Sequence, residues 1–305
     1  MTSLALYSPS GLLTRAAPLR RASRRLGALG FEVEIDSAAL AKHQRFAGDD
    51  ATRLAAIHRV ATRAPAIAMA TRGGYGLTRL LDAIDWKRIA GSVERGTRWV
   101  GHSDLTVLQL GLLAHTGAVS WAGPMACYDF GREEGEHGEK TVAAVDDVTE
   151  GCFVEAMSGA LEAVGFRTEA GFDGLGVPGV LWGGNLCMVS SLLATRHFPR
   201  IKGGVLFLED VNEHPYRIER SLLQLQQSGV LDAQNAVVLG AFSDWNKSPH
   251  DRGYDLKAAV RQLRASTKTP ILTGLPFGHV PTKVTIPVGA RVTLLVDGRD
   301  VLIGW

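Results

Sequence analysis

In the first half of the chain, short apolar runs alternate with longer stretches of helical periodicity. Strands are predicted at 4–7, 31–35, 66–70 and 98–101, and helices at 18–29, 49–63, 77–84 and 105–114. Strands that alternate with helices are typical of parallel βαβ units. The pattern therefore predicts an open parallel sheet with helices on both of its faces.

The second half has a different pattern. Gly-rich apolar strands are predicted within 174–185, further strands at 203–208, 236–242 and 269–275, and an amphipathic helix at 218–228. The final residues, 283–305, have the pattern of a β-meander. Between the halves, a polar stretch at 129–149 that is rich in Gly and Glu leads into a short predicted helix at 148–164.

The change of pattern predicts two α/β domains. The first spans 1–130, a linker with a connecting helix spans 131–172, and the second domain spans 173–305. Ligands of open α/β sheets bind beyond the carboxyl ends of the strands. We therefore expect the functional site in the cleft between the two domains.

Composition narrows the possible functions. The chain of 305 residues is 46% hydrophobic and 21% charged, as expected of a globular protein, and its net charge of +2 does not favour a nucleic-acid partner. The basic run at 15–25 is interpreted as the solvated face of a helix. No apolar run approaches the roughly 20 residues of a membrane span, and the first residues lack the positive region of a secretory signal.

Cysteine usage favours a reducing compartment. The three cysteines, Cys127, Cys152 and Cys187, are too few and too widely spaced for a disulfide framework or a zinc site. We therefore expect a cytoplasmic protein without membrane segments.

One segment has the layout of a nucleophile elbow. A predicted strand at 98–101 runs through a tight turn at Ser103 into a predicted helix. Position 105 is Leu, so the segment departs from G-x-S-x-G, and on its own a helix cap at Ser103 or Asp104 is the better interpretation.

Two further segments carry candidate partners for a serine. Glu209 follows a buried strand directly, where active sites of parallel sheets form, although a loop acid is the simpler interpretation. His279 lies in a Pro- and Gly-containing loop, and an imidazole that titrates near neutrality suits a general base. His102 is the strongest competitor because it adjoins Ser103, but adjacent side chains in a turn usually diverge.

Two Gly-rich turns precede helical segments. At 71–76, backbone N–H groups are available for close approach to a ligand, either as a phosphate cradle or as half of an oxyanion hole. The turn matches neither G-x-G-x-x-G nor a Walker loop, which makes a nucleotide site the weaker hypothesis. At 182–186, Asn185 is expected either to cap a helix or to contact a substrate.

Taken in order, these segments resemble one family. The series is Arg72-Gly-Gly-Tyr-Gly76, Gly101-x-Ser-Asp-x-Thr106, Ala122-Gly-Pro124, Gly183-Gly-Asn-Leu186, Phe207-Leu-Glu-Asp-Val-x-Glu213 and Gly274-x-Pro-x-Gly-His279. It resembles the LD-carboxypeptidases, or muramoyltetrapeptide carboxypeptidases, whose superfamily includes the microcin C7 immunity peptidases. The matches extend over nearly the whole chain.

The resemblance implies a fold and a mechanism. The fold would be a flavodoxin-like N-terminal domain with a parallel sheet, joined to a smaller β-rich α/β C-terminal domain. The family's Ser-Glu-His triad falls on Ser103 as nucleophile, Glu209 as the acid and His279 as the base. The oxyanion hole would use the backbone N–H groups of Gly74 and Asp104.

The resemblance also implies a substrate and partners. It indicates a cytoplasmic serine carboxypeptidase of peptidoglycan recycling, without cofactor or metal and commonly a homodimer, that removes the terminal D-alanine of a murein tetrapeptide. Substrate contacts are expected at Arg72, Tyr75 and Asn185. The terminal carboxylate needs a cation, for which Arg72, Arg79 and Arg132 are the candidates.

Departures from the family pattern leave the substrate open. Thr71, His102 and Ala122 stand where many members have other residues. The first alternative is an immunity peptidase that cleaves a toxic peptide-nucleotide, for which Trp182 and Trp245 are candidate clamps for a base. The second alternative is a non-catalytic peptide-binding module on the same scaffold, against which the intact set of Ser103, Glu209 and His279 argues.

Overall fold

The computed structural model describes residues 1–133, 135–137, 140–142 and 145–305. The predicted polar loop at 129–149 falls in part on 134, 138, 139, 143 and 144, which lie outside the described residues. Among the described residues, no helix combines the length and the apolar character that crossing a bilayer requires.

The first sheet is a parallel sheet with one antiparallel edge strand. Six strands form it in the described part of the chain, in the spatial order β2 (Phe31–Ile35), β1 (Thr2–Tyr7), β3 (Ile67–Ala70), β4 (Arg98–Gly101), β5 (Ser120–Ala122) and β13 (Ile286–Val288). The order 2-1-3-4-5 is that of flavodoxin-like folds. Its helices are α1 (Ala17–Ala28), α2 (Asp50–Arg63), α3 (Trp86–Glu94) and α4 (Leu105–Thr116).

The second sheet is mixed. Its seven described strands have the order β12 (Ile271–Thr273), β11 (Ala236–Ser243), β10 (Val205–Val211), β9 (Gly176–Asn185), β14 (Arg291–Asp297), β15 (Asp300–Gly304) and β8 (Ala163–Arg167). The pairings from β9 to β12 are parallel, whereas β14, β15 and β8 pair antiparallel. The remaining elements are the hairpin β6 (Gly135–His137) and β7 (Lys140–Val142) and the helices α5 (Asp147–Ser158), α6 (Leu186–Ser191), α7 (Pro215–Gln227) and α8 (Leu256–Ser266).

Helix α4 joins the two halves. Every residue from Leu105 to Leu113 is buried, because the helix packs against both α3 and β5 of the first sheet and α6 and β9 of the second. A helix that is apolar on all sides must be enclosed on all sides. One continuous hydrophobic cluster therefore extends from Trp99 in the first half to Phe207 in the second.

Several elements differ from the sequence predictions. The predicted helix at 77–84 is a short 3₁₀ turn at Leu77–Arg79, and the prediction overlooked α3, α8, β5 and β8. The predicted meander at 283–305 is divided, because β13 crosses to the first sheet and pairs with β5 while β14 and β15 form a hairpin in the second. Strand β8, an edge strand of the second sheet, lies inside the predicted linker 131–172. The predicted domain boundaries themselves stay a prediction.

The predicted fold class is confirmed: a parallel α/β sheet with a second, β-rich unit. The carboxyl ends of β4, β10 and β12 lead into segments that line one common cavity. The fold thus brings loops from both sheets to the same place.

Candidate active site

Ser103 lies on a strained turn between β4 and α4. Its φ of +63° is in the left-handed region, which non-glycine residues occupy at an energetic cost. The backbone of Gly73 packs directly against it, since a Cβ built at Gly73 would lie 2.6 Å from both Cβ and Oγ of Ser103. Only glycine fits at position 73, and the Ser103 hydroxyl is held against the Gly-rich turn.

The residues that follow Gly73 and Ser103 in the chain, Gly74 and Asp104, each offer a backbone N–H group. The amide nitrogen of Asp104 lies 3.4 Å from the Cβ position built at Gly73, on the same side as Ser103 Oγ. The N–H groups of Gly74 and Asp104 donate to no described residue. Two free donors beside a hydroxyl at a helix N-terminus are suited to binding a developing oxyanion.

The Asp104 side chain links the two halves of this arrangement. It is buried, and one carboxylate oxygen accepts a hydrogen bond of 2.9 Å from the backbone N–H of Leu77, at the end of the Gly-rich turn. Burial raises the pKa of Asp104 to about 6. The carboxylate therefore ties the 71–77 turn to the residue that follows Ser103.

Glu209 and His279 form a hydrogen-bonded pair. Glu209 lies near the end of β10 with no solvent exposure, and its Oε2 accepts from His279 Nδ1 at 2.8 Å. A Cβ built at Gly278 would lie 3.2 Å from this same oxygen, so the glycine allows the loop to approach closely. The bond directs the imidazole's Nε2 away from the carboxylate and fixes the ring orientation.

Ser103 and His279 line the same cavity. Its volume is about 480 Å³, and its lining comprises Leu13, Thr14, Arg15, Pro18, Arg72, Gly73, Gly74, Ser103, Cys127, Tyr128, Val211, Asn212, Asp244 and His279. Within the described ranges, Ser103 Oγ makes no hydrogen bond to His279. In free enzymes such bonds are often long and tighten only when substrate binds. The cavity contains a hydroxyl, an oriented imidazole and charges of both signs.

His102 is neutral. Its Nδ1 lies 2.9 Å from the Gly123 carbonyl oxygen, so this nitrogen carries the proton. Burial lowers the pKa of His102 well below its usual value. Its ring packs edge-on against His279, with centroids 5.0 Å apart. His102 is not among the residues that line the cavity, whereas His279 is.

The predicted arginines lie in different environments. Arg72 lines the cavity and donates to the Leu12 carbonyl oxygen at 3.0 Å. Arg79 instead pairs with Asp50, and Arg132 does not line the cavity. Arg15, which the sequence analysis did not single out, is exposed in the lining.

The other two predicted substrate contacts lie outside the lining. Tyr75 is 46% exposed and packs against Phe46, with centroids 6.0 Å apart. Asn185 is buried, caps α6 by accepting from the Met188 N–H and donates to Asp210. Of the two roles predicted for Asn185, the geometry favours the cap.

Asn212, Asp244 and Tyr128 also belong to the lining and were not predicted from the sequence. Asn212 and Asp244 follow β10 and β11 with φ of +61° and +58°, and Tyr128 donates to the His279 carbonyl oxygen. Asn and Asp tolerate left-handed backbone better than other residues with side chains. Asn212 and Asp244 each follow a buried strand directly, and these two strands are neighbours. This placement was the signal in the sequence that could have identified them as lining residues.

The described residues favour neither a cysteine nucleophile in the cavity nor a metal site. Cys127 lines the cavity, but burial raises the pKa of its thiol to about 12, so the thiolate nucleophile is disfavoured. Over the described ranges, no cluster of three or more His, Cys, Asp or Glu side chains is arranged to hold a metal ion.

Comparisons with known proteins identify the family. Residues 4–123 match the LD-carboxypeptidase N-terminal domain and residues 178–294 match the LD-carboxypeptidase C-terminal domain. The crystal structure of muramoyltetrapeptide carboxypeptidase from Oxalobacter formigenes is 40% identical, with a TM-score of 0.88 over 100% of this chain and 99% of that one.

Two curated relatives add to this picture. The murein tetrapeptide carboxypeptidase of Pseudomonas aeruginosa is 29% identical over 95% of this chain and 92% of its own. The microcin C7 self-immunity protein MccF of Escherichia coli is 24% identical over 77% of this chain and 72% of its own. Because both domains match in chain order and a 40% identical relative covers the whole chain, the protein belongs to the LD-carboxypeptidase family and is a peptidase.

Proposed function

We propose that this peptidase is a serine carboxypeptidase that removes the terminal D-alanine of murein tetrapeptide. Ser103 is the nucleophile, His279 the general base and Glu209 the residue that orients it. The observation that carries the proposal is the hydrogen bond between the buried Glu209 and His279, with both His279 and Ser103 lining one cavity.

The mechanism is acyl transfer. His279 takes the hydroxyl proton as Ser103 Oγ attacks the carbonyl carbon of the L,D-peptide bond. Glu209 stabilises the imidazolium that results, and the N–H groups of Gly74 and Asp104 bind the oxyanion. Each such donor is typically worth about 10² to 10³ in rate. His279 then protonates the departing D-alanine amine, and water hydrolyses the acyl-enzyme by the same steps in reverse order.

The charges of the cavity suit a peptide with charged groups. Arg72 is the preferred partner for the terminal carboxylate, because it lines the cavity next to the Gly73–Gly74 turn. Arg15 lies in the same lining and adds to the positive potential there. Asp244 makes no ion pair with any described residue, which leaves its carboxylate available to a cationic group of the peptide.

The cavity offers little support for a peptide-nucleotide substrate. Trp182 is fully buried and donates its indole N–H to Gln234. Trp245 packs against His214 and is not part of the lining. Trp182 is therefore not available to stack on a base and Trp245 is outside the lining, which supports the murein peptide over the immunity substrate. We further propose that the enzyme is a cytoplasmic homodimer of peptidoglycan recycling.

Mass spectrometry of murein tetrapeptide after incubation with enzyme tests this proposal. We expect wild type and the control Ser191→Ala, which changes an exposed serine of α6, to release one D-alanine. Ser103→Ala should release none. Cleavage by Ser103→Ala at the wild-type rate would contradict the nucleophile, and an intact tetrapeptide with wild type would contradict the substrate.

A further inference from the structure

The loop after His279 is held by side chains. The His279 carbonyl oxygen accepts from the hydroxyls of Tyr128 and Ser243, each at 3.3 Å. The next carbonyl, of Val280, accepts from Lys283 Nζ at 2.6 Å. The carbonyl after that, of Pro281, accepts from the Thr149 hydroxyl at 2.8 Å. Successive backbone acceptors are thus satisfied by side chains, three from distant parts of the chain and one, Lys283, from the loop itself.

Lys283 is the tether with an unusual environment. Its side chain has no solvent exposure and forms an ion pair with Asp129, which is 2% exposed. The second Asp129 oxygen accepts the Met125 N–H at 2.8 Å. The ammonium group also lies over the Tyr128 ring, 5.3 Å from its centroid. One cation therefore contacts the Val280 carbonyl, the ring that borders the cavity and a buried acid.

The pair connects the two halves of the molecule. Asp129 lies in the turn at Ala126–Phe130, which follows β5 of the first sheet. Lys283 lies where the chain passes from β12 of the second sheet to β13 of the first. A buried ion pair gives little net stability compared with apolar residues of the same volume, because both charges lose their hydration. Its geometric role is therefore more informative than its contribution to stability.

We propose that Lys283 and Asp129 are positioning residues that hold the His279 loop against the Ser103 side of the cavity. This inference rests on the proposed function. The pair fixes the Val280 carbonyl and the Tyr128 ring, both adjacent to His279, relative to the first sheet that carries Ser103.

The remaining tethers predict that the loop keeps its fold without the pair. Thr149 holds both the Pro281 carbonyl and the Lys283 N–H, the latter at 2.8 Å. Removal of the charges should therefore displace His279 without unfolding the loop. Because a misplacement of about 1 Å can lower a rate about 100-fold, the effect should be on the chemical step.

The test uses a variant without a buried unpaired charge. Lys283→Met alone leaves Asp129 uncompensated, so the informative protein is the double variant Asp129→Asn with Lys283→Met. We expect its kcat for murein tetrapeptide to fall about 10- to 100-fold with KM nearly unchanged. The control is the matching double variant Asp36→Asn with Arg59→Met, which removes both charges of the partly buried Arg59–Asp36 pair outside the cavity lining and should keep the wild-type kcat.

Two kinetic results would overturn the inference. One is a double variant with the wild-type kcat. The other is an equal fall of kcat in the control double variant, since that would show that any loss of a partly buried pair slows the enzyme.

A spectroscopic readout separates this inference from the proposed function. We expect the hydrogen bond from His279 Nδ1–H to Glu209 to give a strongly deshielded proton resonance, assigned by its absence in Glu209→Gln. If the wild-type enzyme does not cleave murein tetrapeptide, the proposed substrate is wrong. The resonance then tests the positioning role without a substrate. A shifted or broadened resonance in the double variant, with the control unchanged, supports the positioning role. A resonance identical in all three proteins refutes it.

Discussion

The two sides of the cavity are built by different means. On the Ser103 side, the backbone sets the geometry: a left-handed turn, a glycine in direct contact and N–H groups that donate to no described residue. On the His279 side, side chains set it: Glu209 orients the ring, and Tyr128, Thr149 and Lys283 hold the loop. Backbone constraints demand particular residues locally, whereas side-chain tethers come from anywhere in the chain.

Replacement of Ser103 is the largest expected perturbation of the backbone-built side. Both Ser103→Ala and Ser103→Gly should lower kcat by about 10⁶, the scale seen when a triad nucleophile is removed. The two variants should differ in stability, because glycine adopts a φ of +63° at a lower energetic cost than alanine does. Urea unfolding should find the Gly variant more stable by about 1 kcal/mol. Equal stabilities would contradict the strained turn.

Glu209→Gln tests the side built by side chains. An amide N–H facing His279 Nδ1 favours the wrong tautomer, so kcat should fall by about 10⁴ while the fold persists. The matched control is Asp210→Asn, since Asp210 is the next residue of β10, is also buried and bonds to Asn185 instead. Steady-state kinetics of both proteins measures the difference. Comparable losses of kcat would argue that any change in this strand is damaging.

Gly73→Ala tests whether the close contact between the Gly73 backbone and Ser103 matters, as opposed to the effect of adding a methyl group at any glycine. The added methyl would lie 2.6 Å from Ser103 Oγ, so the turn must move and the oxyanion donors with it. We expect kcat to fall by about 10² to 10³. Gly27→Ala in α1 is the control, because a Cβ there meets nothing within 4 Å. Chemical denaturation should show that Gly27→Ala is stabilised by about 0.5–1 kcal/mol. A wild-type kcat in Gly73→Ala would show that the contact between Gly73 and Ser103 is not needed for catalysis.

Asp104→Asn has the smallest expected effect, on the pH dependence of stability. Its pKa of about 6 in the folded protein exceeds the unfolded value of about 3.9, so the native state binds the extra proton between these values. The contribution of Asp104 to the free energy of unfolding is therefore fully present below pH ~4. It is lost as the pH rises through ~6, and the loss is about 3 kcal/mol. Urea unfolding of the wild type and of Asp104→Asn from pH 4 to 7 measures the difference between their free energies of unfolding. As the pH rises, the Asn variant should become more stable relative to the wild type. A constant difference would contradict the raised pKa.

The sequence predicted the two elements that flank Ser103 well. The strand at 98–101 was placed with the bounds of β4, and the helix at 105–114 overlaps nearly all of α4. The helix at 77–84 failed because its apolar residues, Leu77, Leu80 and Leu81, are buried in a compact turn. Periodicity reports which residues are buried, but several backbone conformations bury the same residues.

The sequence predicted those parts of the candidate site that lie in local motifs. The family predicted from the ordered motifs is confirmed, and the structure brings Ser103, His279 and Arg72 to one cavity. Their catalytic roles stay a proposal. The sequence left Asn185 either as a helix cap or as a substrate contact, and its bonds to the Met188 N–H in the first turn of α6 and to the distant Asp210 favour the cap.

The sequence by itself determined the alternation of strands and helices, the glycines at close backbone contacts and the order of the family motifs, because each depends on neighbouring residues. Only the tertiary structure decided that β13 completes the first sheet, that α4 is enclosed on all sides and that Lys283 meets Asp129. The physical reason is that a strand's partner, or the partner of a buried charge, lies far along the chain. Local periodicity shows that a group is buried, and the fold selects what it contacts.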